Sequence, residues 1–92
     1  MKWIATKKQY HEMQALAYWI ADLHYIREKY GADDPEIDTC RKTIENIFEV
    51  LDALAVPFWV QNAVICWAEN WRRYQTEHIE NMLKNRGVTI AA

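Results

Sequence analysis

Residues 33–57 read DDPEIDTCRKTIENIFEVLDALAVP. Within this stretch Ile37, Cys40, Ile44, Ile47, Leu51 and Leu54 recur in alternating steps of three and four, with Phe48 beside them. Such spacing lines one face of an α-helix with apolar side chains, so the segment is a helix that needs neighbours to cover that face. Asp34 supplies a cap. Pro35 fits the first turn, where its missing N–H costs nothing, and the acids suit the positive helix end. Pro57 disfavours helical geometry in the residue before it and is well placed to start the next helix. A helix over about 35–55 follows.

Toward the N-terminus, Gly31 is the nearest breaker, and none precedes it back to Thr6. Thr6-Lys7-Lys8-Gln9 has the capping-box pattern, a hydroxyl followed three residues later by an amide side chain. A first helix over about 7–30 is predicted, with Met13, Leu16, Ile20, Leu23, Arg27 and Tyr30 on the stripe facing the core. Toward the C-terminus, no Gly or Pro occurs from Phe58 to Arg86. A third helix over about 57–86 is predicted. Its seam is Val60, Val64, Trp67, Trp71, Tyr74 and His78, and Ile65, Ala68, Ile79 and Leu83 form a second strip. Short links place successive helices antiparallel. The expected fold is all-α, a three-helix antiparallel bundle forming a single domain over 1–92, with an apolar tail, Val88–Ala92, that either docks or frays.

Ninety-two residues bury only about 60–65% of the unfolded surface. Five Trp and five Tyr are many for so small a core, since each ring buries about 150–250 Å². The excess predicts self-association as a homodimer through the third helix, the first, or both. A net charge of −2 gives no general attraction to nucleic acid or to anionic membranes. The apolar run near Met1 is too short for a signal peptide, and no apolar stretch reaches the roughly 20 residues of a membrane span. Cys40 and Cys66, without CxxC spacing, point to a reducing cytoplasm rather than a disulfide framework.

Three surfaces are left over. Tyr10, His11, Gln14, Tyr18, Asp22, Tyr25 and Lys29 share the back of the first helix, and exposed Tyr gives a large contact area at low entropy cost. The first six are the candidate partner-binding residues. Between Asp33 and Asp52, seven acids stand against Arg41 and Lys42, net −5, which leaves the rest of the chain at +3. Asp38, Glu45, Glu49 and Asp52 share an outer face there, suited to a basic partner. Arg72 and Arg73, between Trp71 and Tyr74, are a minimal nucleic-acid footprint, made weaker by the absence of a basic excess.

Chemistry has little to work with. There is no Ser, and Thr6 is a cap rather than a nucleophile. His11, His24 and His78 form neither HxxxH nor Glu-x-x-His spacing, so no metal and no cofactor is expected. His24, Arg27 and His78, on or near apolar seams, are the only candidates for a polar ligand pocket. The expected function is non-enzymatic: a small helical interaction module, of the accessory or inhibitor kind that phages and other mobile elements encode, occupying a surface of another protein.

Overall fold

The structure, a computed structural model, describes residues 1–69 and 78–91. The order of elements is β1 (Trp3–Ala5), α1 (Lys7–Tyr30), α2 (Pro35–Ala53), α3 (Phe58–Glu69), α4 (Ile79–Asn85) and β2 (Val88–Ile90). The chain is mostly helical, as the patterning requires. Four helices are present among the described residues, not three. The expected 57–86 helix is replaced by α3 and a separate α4 that begins after His78.

The start of α1 follows its sequence signal closely. Gln9 N–H donates to Thr6 Oγ1 at 3.1 Å, and Thr6 N–H donates to Gln9 Oε1 at 2.8 Å. The helix ends at Gly31, whose φ of 95° few side chains tolerate. Asp34 Oδ1 then accepts from Glu36 N–H at 2.9 Å and caps α2.

α2 ends two residues before the expected boundary, for a reason visible in its hydrogen bonds. Val56 N–H reaches Leu51 C=O and Ala55 N–H reaches Asp52 C=O, both at 3.0 Å. This is the double closure of a Schellman turn, with Ala55 at the left-handed position (φ 59°) that glycine usually takes. Val56 and Leu51, both buried, meet beneath it. Pro57 C=O accepts from Val60 and Gln61 N–H and so begins α3.

α1 and α2 run antiparallel: Gln9 Nε2 donates to Leu54 C=O at 2.7 Å at one end, and Ile26 packs with Ile37 and Cys40 at the other. Between them Met13, Leu16, Ala17 and Ile20 join Ile44, Ile47 and Leu51 in the main core, which Val60, Val64, Ala68, Ile79 and Leu83 complete. Fully burying a side chain such as Leu16 or Leu51 contributes about 1.5–3 kcal/mol.

The seam of α2 is as expected through Leu51, with Leu54 half-buried at its end. The stripe of α1 is not. Arg27 and Tyr30 are exposed, and the buried set continues instead through Ala21, Asp22 and Ile26. Arg27 lies in the last turn, where a cation suits the negative helix end. Small Ala17 and Ala21 let neighbours approach closely, and the second cluster around Ile26 draws the helix's other side inward. On the third segment, Val60 and Val64 are buried, Ile65 and Trp67 half-buried and His78 exposed, while Trp71 and Tyr74 lie outside the described residues.

The tail docks, and as a strand. β2 pairs in parallel with β1, with Trp3 opposite Val88, Ile4 opposite Thr89 and Ala5 opposite Ile90. Three-residue strands are too short for an alternating pattern to be read from sequence. Gly87 makes the approach possible: its φ is 88°, and a Cβ there would collide with the Met1 carbonyl oxygen.

A candidate interaction cleft at the α1–α2 end

Where α1 ends and α2 begins, the chain forms a cleft of about 370 Å³ lined by Asp22, Tyr25, Ile26, Tyr30, Asp34 and Glu36. Three carboxylates and two phenol rings therefore share one recess. Asp22 lies at its base, only 8% exposed. Asp34 and Glu36 belong to the capped first turn of α2, and the Asp33–Asp34–Pro35 turn brings them beside α1.

A cation of the chain itself lies on the tyrosines. Lys29 Nζ donates to Tyr25 Oη at 3.0 Å and lies 5.5 Å from the centroids of both the Tyr25 and Tyr30 rings. The hydrogen bond to Tyr25, then the charges of the two phenols, push the Lys29 ammonium above its ordinary pKa. The position favours an ammonium group for two reasons: ring faces attract cations, and a phenol oxygen accepts a hydrogen bond.

Nearby, burial pushes the Cys40 thiol up, and the Asp22 and Glu36 carboxylates add to the shift. A thiol held protonated in this way is a poor nucleophile. No disulfide joins it to Cys66, which sits on the exposed side of α3.

The row proposed from the sequence divides. His11 and Tyr18 are exposed, with Tyr18 set edge-on to Trp19 at 5.6 Å between centroids. Tyr10, Gln14 and Tyr25 are half-buried, and Asp22 is buried. Tyr10 packs against the main core and accepts from Gln14 Nε2 at 3.2 Å. Burial, then the Glu80 carboxylate of α4, raises its pKa. Tyr10, Gln14 and Tyr25 are thus partly packed rather than fully outward-facing, and Asp22 is buried at the cleft.

On α2, Asp38, Glu45 and Glu49 are exposed together. Asp52 is exposed but engaged, its Oδ1 accepting from the buried Gln61 Nε2 at 3.0 Å, which also donates to Val56 C=O at 2.9 Å. The polar pocket expected near His24, Arg27 and His78 does not coincide with the cleft, which none of the three lines. His24 is half-buried, and Arg27 and His78 are exposed. Arg72 and Arg73 lie outside the described residues.

Sequence reasoning missed Tyr30, Asp34 and Glu36 as site residues. It took the ring for core and the acids for helix-end chemistry, which they also perform. The available signal was their closeness in sequence across Gly31, since a short link makes the end of one helix and the start of the next neighbours.

Among the described residues no group of His, Cys, Asp or Glu is placed to hold a metal, and no helix is long and apolar enough to cross a membrane. No family model, curated protein or solved structure matches this chain.

Proposed function

We propose that this chain is a non-enzymatic interaction module that binds a basic segment of another protein, with the Tyr18–Tyr25–Tyr30 side of α1 and the adjoining acids as its contact surface. The observation that carries the reading is the cleft, where carboxylates at base and rim surround tyrosines already attractive to an ammonium group. A lysine or arginine of the partner enters in place of Lys29, and the exposed rings of Tyr18 and Tyr30 supply area around it. The acidic face of Asp38, Glu45 and Glu49 adds long-range attraction, which speeds encounter more than it tightens binding. An accessory or inhibitor role, acting by covering a surface of a larger assembly in a reducing cytoplasm, suits a small domain built this way.

The test is affinity capture from cell lysate, with the unaltered chain compared with Tyr25→Ala/Glu36→Gln and Glu45→Gln/Glu49→Gln variants. The expected result is a protein partner lost with the cleft variant, retained with the outer-face variant, and released between about 50 and 500 mM salt as charge pairs are screened. A partner held equally by all three, or captured nucleic acid, overturns the reading.

A further inference from the structure

Lys29 shows which kind of basic residue gains most in the cleft. An ammonium of the chain itself already holds the position that the tyrosines favour. Its Nζ donates to Tyr25 Oη at 3.0 Å and lies 5.5 Å from the centroids of the Tyr25 and Tyr30 rings. A partner lysine that takes this place exchanges one ammonium for another. The rings then favour neither, and the gain comes from the carboxylates alone.

A guanidinium differs on both counts. It is planar and more weakly hydrated than an ammonium, and it stacks on aromatic faces. It also has more N–H donors, set in a fork that meets a carboxylate through two parallel bonds. The cleft offers partners for each property. Asp22 lies at the base on α1, Asp34 and Glu36 stand at the start of α2, and the Tyr25 and Tyr30 rings line the recess between them. Asp22 and Glu36 converge closely enough that both charges act on the Cys40 thiol. Asp34 Oδ1 already accepts from Glu36 N–H, but a carboxylate has about four acceptor positions, so the cap leaves most of them.

Size agrees with a single side chain as the occupant. The cleft of about 370 Å³ is near the lower end of the roughly 300–1,000 Å³ typical of small-molecule sites, and Ile26 gives it an apolar wall for an aliphatic stem. We propose, resting on the reading of the cleft as the seat of a basic segment, that it selects an arginine of that segment over a lysine. The guanidinium replaces the Lys29 ammonium over the Tyr25 and Tyr30 rings and bonds to the carboxylates of Asp22, Asp34 and Glu36. Lys29 thereby sets the selectivity: it holds the ammonium position until a group with more to offer displaces it.

The test is an NMR titration with short blocked glycine peptides that carry one central arginine, lysine or citrulline, the last a planar but uncharged counterpart of arginine. The ring signals of Tyr25 and Tyr30 and the methyl signals of Ile26 are followed up to about 10 mM peptide, the range of single-residue affinities. The arginine peptide binds about five- to tenfold more tightly than the lysine peptide, because paired charge-assisted bonds and stacking are added to the charge. The citrulline peptide leaves the signals unmoved. Tyr30→Leu alters a ring that is 61% exposed, so the fold is kept, and the preference falls to about twofold or less. Glu36→Gln weakens both charged peptides. Arginine and lysine peptides of equal affinity overturn the selectivity and leave the basic-segment reading standing, whereas no binding by either overturns both. Citrulline bound as tightly as arginine, or a preference unchanged in Tyr30→Leu, also overturns the proposal.

Discussion

The two ends of the α1–α2 hairpin are built on opposite plans. At the end where α1 starts, polar side chains are spent on the protein's own backbone. Gln9 closes its capping box with one amide atom and, with the other, holds the Leu54 carbonyl 45 residues away. Gln61, buried beside it, ties Val56 C=O to Asp52. At the far end, polar groups line a cleft, and the solvated Lys29 side chain lies on two of its tyrosines, bonded to one phenol oxygen and near both ring faces. Groups locked to backbone fix geometry; around the recess Asp34 does the same for α2, while the Tyr25 and Tyr30 ring faces meet a solvated cation. One end is scaffold, and the other is suited to contact.

The largest expected effect breaks the scaffold outright. Leu51 is fully buried between the helices, and Leu51→Ala costs about 2–5 kcal/mol, read as a lower urea midpoint. Next is Gln61→Leu, which leaves the Val56 carbonyl without this donor and costs about 1–3 kcal/mol. The matched change at the open end, Lys29→Ala, leaves the urea midpoint close to that of the parent, because an exposed side chain contributes little to folding. Equal losses from Gln61→Leu and Lys29→Ala in the same denaturation series would falsify the contrast between the ends.

Smaller effects sharpen it. Ala55 holds a left-handed conformation in the scaffold turn, so Ala55→Gly gains up to about 1 kcal/mol. A loss on that substitution shows that the turn is not strained. Alkaline titration separates the ends by residue. Cys40 near the cleft and Tyr10 near the scaffold both titrate above their ordinary values of 9.0 and 10.0. Each folded form holds its proton more tightly than the unfolded chain, so stability is full below pH 9 and declines as pH rises through the two raised values. Cys40→Ala removes the earlier part of that decline and Tyr10→Phe the later part, measured as unfolding free energy against pH.

How much the sequence disclosed depended on whether a signal was local. Thr6 with Gln9, Gly31, and Asp34 with Pro35 each mark an element end through contacts within a few residues, and α1 and the start of α2 are where they predict. The end of α2 moved because Ala55 took a role usually left to glycine. No breaker lies between Phe58 and Arg86, so nothing local announces the fresh start of α4 after His78. The face of Asp22 could not be read either. Helical spacing says which residues share a side, and only the docking of Ile37 and Cys40 beside Ile26 decides that this side is covered. The cleft joins residues from two elements, so it follows from the hairpin's closure rather than from a motif.

The pairing of Trp3 with Val88 also has a kinetic meaning. Bringing these residues together closes a loop of about 85 residues, an entropic cost of about 4 kcal/mol that three-residue strands do not offset alone. The strands therefore form after the helices have gathered, near the end of folding, and they unravel early when the core loosens. The Trp3 amide becomes a sentinel for docking of β2: its exchange with solvent reports the joining of the chain's most distant segments, separately from the melting of any helix.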